Sequence, residues 1–221
     1  MTDQEILQAL YDETLVGNGP RVLELTEAGL AQGLMPESML FDALIPSLEE
    51  VGARFERGDF FVPEMLIAGR AMAGALDRLR PLLAETGAQT VGTFLMSTVK
   101  GDVHDIGKNL VNIMLEGAGF HVIDLGVQVS PEKVIAGVLE HRPDIVGFSA
   151  FLTTTMPMFK ANINALQKAG LREQVIVMVG GAPVTQEYAD AVGADGYAAD
   201  ASTAVRKAKE LLAAKRTAVG V

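Results

Sequence analysis

The chain has 221 residues, and 18 basic against 28 acidic side chains give it a formal net charge of −10 at pH 7. This acidic balance argues against nucleic acid as a partner, because binding to phosphates needs a basic surface. The absence of cysteine excludes disulfides, iron–sulfur clusters, zinc–thiolate sites and thiol nucleophiles. Residues 1–5 are acidic and polar, unlike a signal peptide, and no apolar run approaches the roughly 20 residues of a membrane helix. We therefore expect a cytoplasmic protein with no membrane partner.

The first part of the chain carries apolar side chains at the three- and four-residue spacing of helices. Helices are predicted over residues 3–16, 20–32, 36–56 and 62–83. Pro20 and Pro36 each follow a glycine-containing break and are well placed to open the next helix. Because the connections are short, we expect a four-helix bundle domain over residues 1–86, followed by a linker at 87–89.

From Thr90 onwards, short apolar runs alternate with helical stretches. Strands are predicted over residues 91–98, 121–124, 145–149, 175–179 and 196–198. Helices are predicted over residues 107–117, 131–140, 155–169, 184–192 and 201–214. This alternation predicts an α/β domain over residues 90–221, with a flavodoxin-like, doubly wound sheet of five parallel strands. Ligands of such sheets bind outside the carboxyl ends of the strands, so the loops there are the candidate sites.

The loop after the first predicted strand places a histidine between carboxylates. Asp102, His104 and Asp105 lie just before a predicted helix, together with Ile106 and Gly107. A neutral imidazole can bind a metal through one ring nitrogen while the other donates to Asp102, which fixes the tautomer. Gly107 would let a bulky ligand come close to the start of the helix. The alternative is a surface histidine in a polar turn, with an aspartate as the helix N-cap.

Three other chemistries do not match this part of the sequence. Gly107-Lys108-Asn109 lacks both the spacing of a Walker A motif and its Ser or Thr. The third strand ends in serine rather than in the aspartate of a receiver domain. His121 and His141 show no zinc-ligand spacing to His104, and we expect both to be structural.

The third and fourth strands end in residues that suit an extended, largely neutral ligand. Hydroxyl and apolar side chains follow the third strand, and a pair of glycines that would leave room beside a flat ring follows the fourth. Taken singly, such a hydroxyl run is often an N-cap and such a glycine pair a tight turn. Because the ends of neighbouring parallel strands meet, we predict one slot between these loops, with a metal-binding histidine at its mouth. The candidate residues are Ser149, Phe151, Leu152, Thr153, Gly180 and Gly181.

Taken together, Asp102-x-His104-x-x-Gly107, the Ser149 loop and Gly180-Gly181 resemble the signature of cobalamin-binding domains. The intervals of 41 residues (108–148) and 28 residues (152–179) are similar to that family's spacing. The resemblance implies that the dimethylbenzimidazole tail of the cofactor leaves cobalt and inserts beside the sheet, while His104 replaces it as the lower metal ligand. The chain departs from the family pattern at Phe151, where leucine is usual, so the wall of the slot would be bulkier.

Residues 58–65, Gly-Asp-Phe-Phe-Val-Pro-Glu-Met, look like the start of a cap helix in methionine synthase and in corrinoid methyl carriers. This likeness implies that Phe61 and Met65 lie one turn apart and face the upper side of the corrin. The alternative is that both belong to the bundle core. Over nearly its whole length, the chain thus resembles the corrinoid proteins of methylamine, methanol and betaine methyltransferase systems.

The resemblance implies a carrier that has no catalytic residues of its own and binds cobalamin as methylcobalamin or hydroxocobalamin. A substrate:corrinoid methyltransferase would supply the methyl group, and an acceptor methyltransferase would pass it to tetrahydrofolate or coenzyme M. A reductive activase is a further partner that the resemblance allows. The alternatives are a subunit of an adenosylcobalamin-dependent mutase, a B12-binding regulatory module and a non-binding scaffold. The helical cap disfavours the mutase, and the acidic charge disfavours a DNA-binding regulator.

Overall fold

The computed structural model describes residues 1–86 and 90–219. These residues form two compact units, a helical unit built from the N-terminal helices and an α/β unit that begins at Val91. The linker expected at 87–89 lies outside the described residues. In the part of the chain that is described, no helix combines the length and the apolar character needed to cross a membrane.

The helical unit is built from helices that pack against one another. Its helices are α1 (Asp3–Leu15), α2 (Gly19–Gln32), α3 (Pro36–Met39), α4 (Ile45–Arg57) and α5 (Val62–Thr86). A capping box between Thr2 and Glu5 starts α1, and prolines in the first turns of α2 and α3 remove N–H groups that a helix start leaves unpaired. Each long helix contributes a fully buried leucine to the core, namely Leu10, Leu25, Leu48 and Leu79.

The third predicted helix, over residues 36–56, is not one continuous α-helix. Leu40–Leu44 form a π-helical segment, and the Ile45 N–H donates to the Leu40 carbonyl five residues earlier. Pro46, in the first turn of α4, accounts for the change. Proline has no N–H to donate, and in a regular α-helix its ring would clash with the carbonyl four residues back, so the chain takes a wider turn here.

The α/β unit alternates strands with helices as predicted. Its strands are β1 (Thr93–Thr98), β2 (His121–Asp124), β3 (Ile145–Ser149), β4 (Ile176–Gly180) and β5 (Gly196–Ala198). Its helices are α6 (Ile106–Gly117), α7 (Pro131–His141), α8 (Pro157–Lys168), α9 (Gln186–Val192) and α10 (Ala201–Val219), with a 3-10 turn at Arg172–Gln174. β1 begins later than predicted because its pairing starts at Thr93, opposite His121. α8 begins later because Thr155 lies in the turn that precedes it.

The strands pair in parallel in the order β2-β1-β3-β4-β5, which confirms the predicted doubly wound sheet. The chain moves one way across the sheet from β1 to β2, and the other way from β2 to β5. Right-handed crossovers therefore place α6 on the face opposite to α7, α8 and α9. The direction reverses between β1 and β3, and this position, the switch point, is where an open parallel sheet forms a ligand crevice.

Candidate cofactor site at the switch point

A tight turn after β1 brings Asp102 into the protein interior. The Asp102 N–H donates to the Val99 carbonyl at 3.1 Å, and Gly101 within this turn has a φ of +87°. This is the pattern of a type II turn, which favours glycine at its third position. Asp102, the last residue of the turn, is fully buried although it carries a carboxylate.

Asp102 connects the loops that follow β1 and β3. Its Oδ1 accepts the backbone N–H of His104 at 3.0 Å and lies 2.7 Å from Nδ1 of the same residue. Its Oδ2 accepts the backbone N–H groups of Phe151 and Leu152 at 2.8 and 3.2 Å. The Thr155 hydroxyl donates to Oδ2 at 2.8 Å. One carboxylate thus holds both sides of the switch point together.

The environment of Asp102 keeps it ionised. Burial by itself would raise the pKa of this carboxyl, because a charge is costly away from water. The hydrogen bonds from His104, Phe151 and Thr155 outweigh burial and hold the pKa of Asp102 well below its usual range. A carboxylate can only accept, so the proton of the imidazole lies on Nδ1 and the lone pair lies on Nε2.

The His104 ring is held on several sides but keeps one nitrogen available. Its side chain is 45% exposed, and Nε2 has no hydrogen-bond partner among residues 1–86 and 90–219. The Phe151 ring stacks on the imidazole, with 4.4 Å between the centroids and 29° between the planes. The Thr98 hydroxyl donates to the His104 carbonyl at 3.0 Å and anchors the loop. This arrangement is that of an oriented nitrogen ligand for a metal.

Exposed apolar side chains accompany this ligand. In the loop of His104, Val103 and Ile106 are 57% and 73% exposed, and in the facing loop Phe151 and Leu152 are 53% and 40% exposed. Several exposed apolar side chains on neighbouring loops are typical of binding sites. At Gly107, an added Cβ would meet no atom within 4 Å, so the start of α6 is open as well. The switch point therefore offers apolar surface next to a metal ligand.

The strand register aligns small residues at the carboxyl ends of four strands. Thr98 pairs with Ser149, Ser149 with Gly180, and Gly180 with Ala198. Because side chains alternate along a strand, this row lies on the sheet face opposite to the core that α7, α8 and α9 cover. The Ser149 and Gly180 positions, predicted to lie together, are neighbours in this row.

The second glycine of the pair has a structural role. Gly181 has a φ of +133°, and a Cβ there would lie 1.9 Å from the Ala150 carbonyl oxygen. The expectation that both glycines leave room for a flat ring is therefore corrected at Gly181. There, the backbone of the neighbouring loop takes up the space that a side chain would need.

We expect Gly181→Ala to lower the free energy of unfolding by at least about 2 kcal/mol, because it combines a strained backbone angle with a steric clash. Chemical denaturation followed by circular dichroism measures this loss. Gly74→Ala on α5 is the control, since a Cβ at Gly74 meets no atom within 4 Å. A Gly181→Ala protein as stable as the wild type would show that the two loops do not touch.

Thr153 and Asp105 do not take part in the network around Asp102. Thr153 is exposed, whereas Thr155, which the sequence analysis did not select, is buried and binds Asp102. The three consecutive threonines look alike in the sequence, so nothing local distinguishes them. The Asp105 carbonyl accepts the Asn109 N–H at 2.7 Å, which places Asp105 at the start of α6.

The two residues expected to face a corrin from the helical unit differ in exposure. The Met65 N–H donates to the Phe61 carbonyl at 3.2 Å, so they lie one turn apart as expected. Phe61 is 65% exposed, but Met65 is fully buried. The expectation that Met65 faces the upper side of a corrin is therefore corrected, and its burial fits the bundle-core alternative.

A buried cation that the sequence did not single out connects α6 to the end of β2. Lys108 is only 3% exposed, and its ammonium group forms an ion pair with Asp124 and donates to Asn109 at 2.7 Å. Asp124 Oδ1 also accepts the Gly126 N–H at 2.8 Å. These contacts hold the start of α6, next to the His104 loop, in place against β2.

Comparison with known proteins identifies the class to which this fold and site belong. A family model described as a B12 binding domain matches residues 92–206, and a second B12 binding domain model matches residues 6–80. The chain therefore belongs to the B12-binding family, and its cofactor is cobalamin, as predicted.

Its relatives are similar over nearly the whole chain. Dimethylamine corrinoid protein 1 of Methanosarcina acetivorans is 42% identical over 214 residues, which cover 96% of this chain and 100% of that protein. Trimethylamine corrinoid protein 2 of Methanosarcina mazei is 41% identical over 204 residues, 91% of each chain. These relatives confirm the predicted resemblance to corrinoid proteins of methyltransferase systems.

Solved structures show the same architecture. The methanol:cobalamin methyltransferase complex of Methanosarcina barkeri contains a chain with a TM-score of 0.84 and 29% identity, covering 95% of this chain and 80% of that one. A cobalamin-binding protein from Desulfitobacterium hafniense has a TM-score of 0.73 and 29% identity, covering 95% and 98% of the two chains.

The residues at the switch point suit cobalamin. An imidazole from the protein would be able to ligate the cobalt of this cofactor. His104 provides such an imidazole, with its proton held on Nδ1 by Asp102 and its Nε2 free of protein partners in the described chain. The apolar side chains around it suit the largely apolar face of the corrin ring.

Proposed function

We propose that this protein is a methyl carrier that binds cobalamin in the base-off/His-on form, with His104 as the lower ligand of cobalt. The observation that carries this proposal is the pair of Asp102 and His104, joined at 2.7 Å through Nδ1 and set among exposed apolar residues. The sequence similarity to dimethylamine and trimethylamine corrinoid proteins over 91–96% of the chain supports methyl transport rather than a mutase or a regulator.

Bound cobalamin would supply the cobalt chemistry that takes up and releases a methyl group. The contribution of the protein is ligation, orientation and exclusion of water. His104 would offer Nε2 to the metal, and Asp102 would hold the proton on Nδ1 and raise the basicity of the imidazole. The exposed Val103, Ile106 and Leu152 would cover the ring with apolar surface. Ser149 and Gly180 are the proposed lining of the slot for the nucleotide tail.

The helical unit is the proposed cap. Residues 1–86 would protect the methyl group between transfers. Of the two residues that the resemblance suggested, the exposed Phe61 is the one available to cover a ligand. The α/β unit over residues 90–221 would hold the cofactor.

The proposed donor enzyme is a methyltransferase specific for a methylamine, as the names of the relatives suggest. The proposed acceptor enzyme passes the methyl group to tetrahydrofolate or to coenzyme M. A reductive activase is a further proposed partner.

Reconstitution with hydroxocobalamin tests the proposal. The purified protein should stay coloured after desalting, at about one cobalamin per chain. After chemical reduction, and with a methylamine-specific methyltransferase present, it should become methylated from dimethylamine or trimethylamine but not from methanol. A protein that is colourless after desalting would refute cofactor binding. A coloured protein that no methyl donor system modifies would refute the carrier function.

We expect Gly107→Ala to separate stability from cofactor binding. Since an added Cβ meets no atom within 4 Å, alanine should raise the free energy of unfolding by roughly 0.5–1 kcal/mol in this helix. A bound corrin would occupy this open space, so cobalamin affinity should fall roughly tenfold by overpacking. Denaturation and titration with hydroxocobalamin measure the two effects. Gly74→Ala on α5 should raise stability alone, and equal affinities for all three proteins would place the ligand elsewhere.

A further inference from the structure

Phe151 has a contact that its sequence position did not suggest. Its ring stacks on the His104 imidazole at 4.4 Å, and its backbone N–H donates to Asp102 at 2.8 Å. The same carboxylate therefore binds the Phe151 backbone and the His104 imidazole, which lie in two different loops.

Burial does not account for the aromatic ring. Phe151 is 53% exposed, and it is not among the residues of the core that α7, α8 and α9 cover. A half-exposed phenylalanine gains less from the hydrophobic effect than a buried one. The stack on the imidazole is a contact that an aliphatic side chain at this position would not make.

The stacking of Phe151 on His104 restrains a tilt of the imidazole that its hydrogen bond to Asp102 leaves free. The bond from Nδ1 to Asp102 prevents the imidazole from flipping, since the opposite orientation would lose a charge-assisted hydrogen bond at 2.7 Å. A single hydrogen bond nevertheless allows the ring plane to tilt about the bond axis. An aromatic ring that lies within 29° of parallel opposes this tilt, and so keeps the lone pair of Nε2 in one direction.

We propose that Phe151 is a positioning residue that aims Nε2 of His104 at its ligand. The effect on the free protein does not depend on the cofactor, whereas the effect on cobalamin affinity rests on the proposed function. An aromatic contact of this kind corresponds to a change of about two- to tenfold in an equilibrium constant. We therefore expect Phe151→Leu to weaken cobalamin binding about two- to tenfold, and Phe151→Tyr to keep the wild-type affinity.

Proton NMR of the cofactor-free protein tests the positioning directly. The chain has three histidines, and comparison with His104→Gln assigns the signals of the His104 ring. The stacked ring should shift these signals upfield in the wild type and in Phe151→Tyr. The upfield shift should disappear in Phe151→Leu, while the signals of His121 and His141 stay unchanged.

Titration with hydroxocobalamin, monitored through the absorption of the bound cofactor, tests the expected effect on cobalamin affinity. Leu139→Ala is the control, because Leu139 is a 60% exposed apolar residue on α7, away from the His104 loop. The inference is overturned if Phe151→Leu keeps the upfield shift, if it binds cobalamin as tightly as the wild type, or if Leu139→Ala weakens binding equally. A wild-type protein that binds no cobalamin would overturn the proposed function and the affinity effect, while the NMR result would still decide the positioning.

Discussion

Asp102→Ala is expected to lower the free energy of unfolding of the α/β unit by roughly 3–5 kcal/mol. The carboxylate is fully buried and accepts hydrogen bonds from His104, Phe151, Leu152 and Thr155. Removing it leaves the backbone N–H groups of His104, Phe151 and Leu152 without this acceptor, and each unsatisfied buried donor costs about 1–3 kcal/mol. The Thr155 hydroxyl can still donate to the Leu152 carbonyl at 2.8 Å. Because the chain contains no tryptophan, denaturation is best followed by circular dichroism.

Asp105→Ala is the matched control for this loss. Asp105 lies in the same loop, but its carboxylate accepts none of the hydrogen bonds that Asp102 accepts. Because Asp105 stands at the N-cap position of α6, Asp105→Ala should lower the free energy of unfolding by at most about 2 kcal/mol, less than Asp102→Ala does. Asp102→Asn should also be strongly destabilising, because the amide NH₂ would face groups that themselves donate. An Asp102→Ala protein that unfolds at the same denaturant concentration as the wild type would mean that Asp102 does not join the two loops.

The contribution of Asp102 to the free energy of unfolding should decrease at low pH. Folding lowers the pKa of this carboxyl, so the folded protein binds the proton more weakly than the unfolded chain does. The stabilisation is therefore fully present above the ordinary pKa of aspartate, about 3.9, and is lost as the pH falls further. The stability difference between the wild type and Asp102→Ala should be constant near neutrality and shrink below about pH 4.

His104→Gly is expected to alter the absorption spectrum of bound cobalamin, because the proposed lower nitrogen ligand of cobalt is lost. Binding should remain detectable at high cofactor concentration through the slot and the apolar surface. We expect the affinity to fall more than roughly 100-fold, since loss of a ligand's supporting partner alone typically costs 10–100-fold. Spectral titration with hydroxocobalamin measures both effects.

Free imidazole provides a sharper version of the His104 experiment. Added imidazole should enter the space left in His104→Gly and restore the wild-type spectrum, which a misfolded variant would not allow. His141→Gln is the control, since His141 lies at the end of α7, and its spectrum should match that of the wild type. An unchanged spectrum in His104→Gly would rule out His104 as the lower ligand.

Local patterns in the sequence predicted most of the architecture. The strands His121–Asp124 and Ile145–Ser149 have the predicted bounds. Each contains a short group of β-branched or aromatic apolar residues close to turn-forming residues. The third helix was predicted wrongly, as one α-helix, although Pro46 lies within it. Apolar periodicity survives a π segment almost unchanged, so it does not reveal how the backbone accommodates a proline.

The sequence by itself determined the division into a helical and an α/β part, the parallel sheet, and the loop in which Asp102, His104 and Gly107 stand together. These features depend on the spacing of residues that are close along the chain. Only the tertiary structure decided that Thr155 rather than Thr153 binds Asp102, that Phe151 stacks on His104, and that Gly181 accommodates the Ala150 carbonyl. Each of these contacts joins residues from separate loops, and the distance between such residues is set by strand register and crossover direction.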